Sequence, residues 1–249
     1  MSTGNLISKL KEINNSSKIS VFVPSAKKEM SFKQLSVKQQ KDLMKTGLDG
    51  QLSGLSISGI IKDVIVENSL EKYDFLSTDK VPIILALRKQ SFGEIYTFSD
   101  GEKDNTVDLN SILSKKLLYK SEYSGTIEDS ENKLKVELQV PTLIDDDKFN
   151  SYIYSELKKK KDVELSETVG VVYVGEIAKF LKSVALGDYE LDFGASTPKE
   201  KISVVENFSV TFNNKILKFI EALRKEELDY ATVDGVTVAM DARLFANQQ

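Results

Sequence analysis

The sequence predicts an α+β fold: a mainly helical body with an N-terminal β-hairpin and a small antiparallel β insertion. Three observations support this. Apolar residues recur at helical spacing in most segments, two alternating runs flank a turn near the N-terminus, and alternation with aromatic residues returns between residues 94 and 143. The chain has 249 residues, which is long enough to bury a substantial hydrophobic core.

Four segments follow from these patterns. They are an N-terminal arm with the first strand at 1–30, a strand plus helical segment at 31–93, the antiparallel β insertion at 94–143, and a helical C-terminal part with a short terminal strand at 144–249.

The first segment begins with a short helix, because four apolar residues have helical spacing: Leu6, Ile7, Leu10 and Ile13. This arm either packs on its own domain or docks on a neighbour. The runs KISVFVP and MSFKQL then alternate as strands do, and the turn PSAKKE between them predicts a hairpin.

A polar helix follows the hairpin. Ser36 is placed to cap it, Gln39 completes a capping box three residues later, and Gly47 lies where a C′ glycine ends a helix. The stretch SFKQLSVKQQKDLMKTG is therefore a structural start signal that leads from a β-hairpin into a helix.

Two more helices are predicted before the β insertion. The first is SISGIIKDVIVENSL, which has an apolar stripe, although its β-branched residues would also suit a strand. The second is LSTDKVPIILALRKQSFG, which has Pro82 in its first turns and ends at Gly93. The glycine-spaced connector at 47–59 lacks the spacing of a phosphate-binding loop.

Within the insertion, residues Lys133 to Val140 give the clearest strand. The C-terminal part then predicts a helix beginning at the DDDKFNS stretch, a second helix at 167–186 and a loop at GDYELDFGAS. Thr197, Pro198 and Glu200 start a long helix with a capping box, with a break near Asn213 left open. A glycine turn and a short strand close the chain.

Composition excludes several classes of function. The chain has no Cys and no His, so disulfide frameworks, thiolate nucleophiles, imidazole-based triads and most zinc, copper and iron sites are absent. Its net charge of −4 gives no electrostatic case for nucleic acid. No apolar run approaches the length of a membrane span, and the N-terminus lacks the features of a signal peptide. We expect a non-enzymatic protein with no cofactor, made in the cytoplasm.

Candidate chemical motifs have simpler structural explanations. The DFG at 192–194 lacks the other kinase motifs and is better explained as a loop that ends in a glycine turn. Asp145–Asp147 and Lys158–Lys161 suit the two ends of a helix better than a metal site or a nucleic-acid patch. Four acidic residues in predicted turns could include a catalytic carboxylate pair of the glycosidase type, but the sequence does not show how far apart their carboxylates lie: Glu122, Glu128, Asp129 and Glu131.

The block VFVPSAKKEMSFKQLSVKQQKDLMKT resembles the N-terminal signature of the T4-type baseplate protein family of tailed phages. In that signature an extended segment with a proline precedes a strand and then a step into a polar helix. The matching residues here are Phe32, Leu35, Ser36, Val37, Lys38, Gln40 and Leu43. The specific match covers about a tenth of the chain and does not include residues 94–143.

The resemblance implies a structural or assembly role in the central hub of a contractile-tail baseplate, with no catalytic or metal-binding residue. Other phage hub or tail proteins would be the partners, in the host cytoplasm during assembly and then in the virion tail baseplate. Exposed polar residues of the predicted helix are the partner-binding candidates: Lys38, Gln40, Lys41 and Lys45.

Three alternatives stay open. The chain could be a transient assembly chaperone that is absent from the mature virion. It could also be a metal-dependent hydrolase that uses only Asp and Glu ligands. Contact between copies of the chain is open too, since a long helix bearing Phe208, Phe212 and Phe219 needs a partner surface, although a core is the simpler use of these rings.

Overall fold

The computed structural model describes residues 3–99, 101, 103–159 and 165–246. These residues form nine α-helices: α1 Thr3–Ser16, α2 Val37–Lys45, α3 Ser53–Asn68, α4 Lys80–Phe92, α5 Leu109–Leu113, α6 Leu143–Lys159, α7 Leu165–Ala178, α8 Pro198–Glu206 and α9 Val210–Tyr230. They also form short 3-10 turns at Thr46–Leu52, Ser77–Asp79 and Ala242–Phe245.

The same residues form ten strands: β1 Lys18–Val23, β2 Lys28–Lys33, β3 Ile95–Ser99, β4 Asp104–Asp108, β5 Ser124–Asp129, β6 Leu134–Gln139, β7 Leu181–Leu186, β8 Tyr189–Asp192, β9 Thr232–Val233 and β10 Val236–Thr237. All pairings are antiparallel. β1 pairs with β2, β3 with β4 and β9 with β10, while β5, β6, β7 and β8 form one sheet in that order. Helices with small antiparallel sheets confirm the predicted α+β class.

The chain divides into two compact units. The first contains the residues up to Leu118 together with those from Glu227 onward, and the second contains Tyr119–Glu226. The boundary at 226/227 falls within α9, and the four-stranded sheet lies entirely in the second unit.

In the first unit, the β1–β2 hairpin packs against α4. The strand register places Val21 opposite Met30 and Ile19 opposite Phe32, so that alternate residues of both strands share one face. Val21, Met30 and Phe32 are buried on that face. α4 contributes its own buried apolar residues to this core: Ile83, Ile84, Leu85 and Leu87.

A buried carboxylate ties the hairpin turn to the start of α4. Asp79 is fully buried and accepts hydrogen bonds from the backbone N–H of Ser25 at 2.9 Å, the Ser25 hydroxyl at 2.6 Å and the Leu76 N–H at 2.8 Å. The Tyr73 hydroxyl lies 3.0 Å from the Ser25 hydroxyl. Burial raises the pKa of Asp79, while these hydrogen bonds act in the opposite direction.

In the second unit, the apolar face of the sheet and the helices form the core. Val136 and Leu138 of β6 are buried on this face. A Cβ at Gly125 of β5 would lie 3.1 Å from the Phe219 ring of α9, so the absence of a side chain lets this ring approach the sheet. Buried apolar residues also come from α6, α8 and α9: Phe149, Ile153, Leu157, Val205, Phe212, Ile216, Ile220 and Leu223.

Two strands lie where the sequence suggested a helix and a loop. β7 occupies the end of the helix predicted at 167–186, and β8 lies within the predicted loop GDYELDFGAS. α7 ends at Ala178, and the chain then turns into β7. The helix prediction for the last residues of 167–186 was wrong. The apolar residues have helical spacing there, but β7 forms because it pairs with β6 and β8, and local spacing does not show such pairing.

The long helix predicted after Thr197 is two helices. α8 ends at Glu206 and α9 begins at Val210, so the break precedes Asn213. The Ser209 hydroxyl accepts a hydrogen bond from the Phe212 N–H at 3.2 Å, which is the geometry of a helix N-cap. The cap at Ser209 therefore starts a new helix, although the apolar spacing predicted one continuous helix.

The described residues between 94 and 143 contain antiparallel strands together with the helix α5, but the strands pair in two separate sheets. β3 and β4 pair with each other in the first unit, whereas β5 and β6 join β7 and β8 in the second. The predicted N-terminal helix is α1, whose apolar residues are about half exposed: Leu6, Ile7, Leu10 and Ile13.

Candidate partner-binding surface

The start of α2 has the geometry that the sequence predicts. The Ser36 hydroxyl accepts from the Gln39 N–H at 3.2 Å, and the Gln39 side-chain oxygen accepts from the Ser36 N–H at 3.0 Å. This capping box satisfies two N–H groups that have no partner within the helix. Leu43 is fully buried, which fixes the polar side of the helix toward solvent.

The end of α2 differs from the prediction. The helix ends at Lys45, and the chain continues as a 3-10 turn through Gly47. Gly47 does not adopt a positive φ, so it is not a left-handed cap. A Cβ at Gly47 would instead lie 3.2 Å from the Ala242 side chain, so the close approach of this turn accounts for the small residue.

Three of the four predicted binding residues form one stripe. Lys38, Lys41 and Lys45 are exposed, and their spacing places them on one face of α2. Lys45 pairs with Asp42 at 3.2 Å, while Lys38 and Lys41 form no ion pair with another described residue. Gln40 lies apart from this stripe, since its side chain donates to the Phe245 carbonyl at 3.3 Å.

A groove of about 470 Å³ lies between α2 and α3, beside the lysine stripe. Lys38 and Lys45 line one side, and Asp42, Asp63 and Glu67 add carboxylates to the wall. The groove therefore presents both signs of charge, which suits a polar protein surface better than a simple anion.

Gln39 has a second role that sequence patterns did not indicate. Its side-chain nitrogen donates to Glu67 at 3.0 Å and to the Asn68 side chain at 3.3 Å, and Asn68 donates back at 3.2 Å. The capping residue of α2 is thus also a bridge to the end of α3. A glutamine at N3 predicts the cap, but nothing local predicts the long-range partner.

The second unit has its own cleft of about 290 Å³, lined by the start of α6, the start of α8 and the end of β8. Lys201 lies in this cleft, donates to the Leu181 carbonyl at 2.7 Å, and lies 5.7 Å and 5.6 Å from the ring centroids of Phe149 and Phe193. Burial lowers the pKa of Lys201, opposed by Asp145. No sequence pattern indicated that Lys201 would line a cleft.

The acidic residues considered for metal binding have structural roles. At the start of α6, the Thr142 hydroxyl accepts from the Asp145 N–H at 3.1 Å and donates to the Asp145 carboxylate at 2.8 Å. Asp146 is buried and pairs with Lys179 at 2.8 Å, and Asp129 accepts from Asn132 in the turn after β5. No group of three or more acidic residues in the described part of the chain is placed to hold a metal ion.

The remaining motif candidates also lie at element ends. Asp192 accepts a hydrogen bond from the Gly194 N–H at 2.6 Å where β8 ends. Lys158 and Lys159 end α6, while Lys160 and Lys161 lie outside the described residues. Among the described helices, none combines the length and apolarity that crossing a bilayer requires.

Comparison with known proteins identifies a family. The family model described as T4 bacteriophage base plate protein matches residues 16–233, which include both units in large part. No curated protein and no solved structure matches the chain.

Proposed function

The chain belongs to the T4 bacteriophage base plate protein family, and on this premise we propose that it is a non-enzymatic structural component of the baseplate hub of a contractile-tailed phage. It acts through contacts with other hub or tail proteins, first in the host cytoplasm and then in the virion tail. The extent of the family match carries this proposal, because it spans far more of the chain than the N-terminal block alone.

The contact surface within this proposal is the lysine stripe of α2, defined as Lys38, Lys41 and Lys45, together with the adjoining groove. Its support is geometric: three exposed ammonium groups share one face of a helix that a buried Leu43 and a capping box hold in place. Gln40 is proposed as part of the support of this surface rather than of the contact, since it bonds to the chain itself.

Copy number in particles tests the role. The measurement is quantitative mass spectrometry on purified virions of the source phage and on free baseplates or hubs from infected-cell lysate. We expect a fixed, small copy number in both samples, because a structural component stays in the assembly it builds.

Two other outcomes decide against a structural component. Presence only in the assembly intermediates would identify a transient chaperone. Absence from both samples would contradict a baseplate role of either kind.

A further inference from the structure

The hairpin formed by β7 and β8 leaves a free sheet edge, with which no other strand of the described residues pairs. β8 is the outermost strand of its sheet. The Phe193 N–H bonds to the Lys182 carbonyl at 2.9 Å, and antiparallel pairs alternate in their bonding. The backbone N–H and C=O groups of Glu190 and Asp192 therefore point away from β7, toward the open side.

An apolar surface accompanies this free edge. Leu186, Tyr189 and Leu191 are 53%, 83% and 50% exposed. The strand register places them on the same face as Val136 of β6, which is fully buried. The apolar face of the sheet thus continues to its edge, where it is exposed.

The opposite face of β8 is acidic. Glu190 and Asp192 alternate with the two apolar residues and are exposed. Across β7 they lie opposite Ala185 and Ser183, so no basic residue faces them directly within the sheet. A strand that adds to β8 would meet the negative charge of Glu190 and, beside it, that of Asp192, whose carboxylate also accepts from the Gly194 N–H and interacts electrostatically with Lys201.

The two edge strands of the sheet, β5 and β8, differ in how well they are protected against pairing with another chain. At β5, Lys215 reaches the Glu128 carbonyl at 3.4 Å. The segment YELD of β8 has no lysine and no proline, and its pairing with β7 has no register shift. Lysines, prolines and bulges are the usual features that keep other chains from pairing with an edge strand.

A second copy of the chain fits this edge poorly. In antiparallel self-pairing, the outward-bonding residues must lie opposite each other, which places Glu190 against Glu190 or Asp192 of the other copy. Like charges directly opposite destabilise a strand pair. Charge complementarity instead favours a different chain with basic residues at these positions.

We propose that the free edge of β8 accepts an extended segment of a partner protein in which basic residues alternate with apolar residues. The basic residues face Glu190 and Asp192, the apolar residues extend the surface of Tyr189 and Leu191, and the backbone groups complete the ladder. The proposal rests on the proposed function only in that the chain acts by contacts with other proteins.

The test uses the full chain and a fluorescent synthetic peptide that alternates lysine and valine. We expect it to bind about tenfold more tightly than a peptide that alternates glutamate and valine, because opposite-charge pairs replace like-charge pairs. Hydrogen exchange should show protection of the Glu190 and Asp192 amides only when the lysine peptide is bound. A lysine peptide methylated on alternate backbone nitrogens should bind weakly, since it lacks the donors for the ladder.

Two variants locate the interaction. Glu190→Lys should remove or reverse the preference between the peptides, while Glu221→Lys, an equal charge change at an exposed residue of α9, should leave the preference unchanged. Tyr189→Ser should weaken binding of the lysine peptide without loss of folding, because this side chain is 83% exposed.

Three results would overturn the proposal: no binding of the lysine peptide, equal affinity for both charged peptides, or unchanged exchange at the β8 amides. A dimer in sedimentation of the chain alone, with those amides already protected, would show that a second copy covers the edge. Particle copy number is measured independently, so failure here leaves the baseplate role standing.

Discussion

At the scale of single residues, Asp79 shows how a buried charge fixes two distant loops. Its two oxygens accept from Ser25 and Leu76, which joins the hairpin turn to the start of α4. Replacement by asparagine keeps the shape but turns an NH₂ group toward donors. We expect Asp79→Asn to lower the free energy of unfolding by about 1–3 kcal/mol, measured by urea denaturation at neutral pH. An unchanged unfolding midpoint would contradict this role.

The same residue predicts a pH dependence. Burial raises the pKa of Asp79 in the folded protein, so the folded state binds more protons than the unfolded state between the two pKa values. The stability that Asp79 contributes is therefore present below the ordinary carboxyl pKa and declines as the pH rises through the raised value. The difference in unfolding free energy between wild type and Asp79→Asn should be largest at about pH 4, the ordinary carboxyl value, and should shrink as the pH is raised from there. A constant difference would show that the pKa is not raised.

Lys179 is a second charged residue that is largely buried, together with its partner Asp146. It pairs with Asp146 at 2.8 Å and Glu176 at 2.7 Å, and Glu176 also pairs with Arg224. Burial alone would lower the pKa of Lys179, but the two carboxylates outweigh it and hold the pKa above its usual value.

Removal of this ammonium takes the ion-pair partner Lys179 away from the buried Asp146. We expect Lys179→Met to destabilise the protein by about 3–5 kcal/mol, because a buried charge that loses its ion-pair partner costs more than the ion pair contributes. The double variant Lys179→Met with Asp146→Asn should recover much of the loss in the same denaturation experiment. Equal instability of the single and double variants would rule out the buried charge as the cause.

At the scale of elements, the sequence predicts helix starts well, because a helix start depends on residues that are close together in the chain. Ser36 with Gln39, and Thr197 with Glu200, form the capping boxes that their spacing indicated, at both helix starts. The strands β7 and β8 were missed because their partners are non-local. A signal was present, since Gly187 has a φ of +58° in the two-residue turn between them, and a glycine followed by aspartate is typical of such hairpins.

Helix α7 contains two glycines whose surroundings differ. A Cβ at Gly175 would lie 2.2 Å from the end of the Ile153 side chain on α6, whereas a Cβ at Gly170 meets nothing within 4 Å. The two positions therefore form a matched pair within one helix.

We expect opposite effects of alanine at these positions. Gly170→Ala should stabilise the protein by up to about 1 kcal/mol through helix propensity. Gly175→Ala should destabilise it by about 1–3 kcal/mol, because Ile153 must move in a packed core. Thermal unfolding of both variants tests this, and Gly175→Ala combined with Ile153→Val should recover part of the loss. A change in stability of the same sign for both alanine variants would show that helix propensity, and not packing, determines their effect in α7.

At the scale of the whole molecule, the fold class was predictable but the grouping of elements was not. The first 118 residues form a unit with the residues from Glu227 onward. No local sequence pattern predicts that these two distant parts of the chain belong together. Within the second unit, Glu226 accepts from the Lys120 N–H at 2.7 Å and the Ser121 N–H at 2.9 Å, so one side chain joins its two ends. The candidate surface was predictable to the same extent: the lysine stripe follows from helical spacing, while the groove beside it depends on where α3 packs.

Assembly provides the last prediction, because the lysine stripe matters only in contact with other proteins. Lys38→Glu with Lys41→Glu should reduce recovery of the chain with baseplate intermediates about tenfold, since two exposed positive charges become negative. Thermal unfolding should be unchanged, because both side chains are exposed and the buried Leu43 is untouched. The matched control is Lys18→Glu with Lys72→Glu, an equal charge change at exposed lysines of the same unit outside α2. Full recovery of a folded Lys38/Lys41 variant would remove the stripe from the contact surface, and an equal loss in the control would assign the effect to net charge.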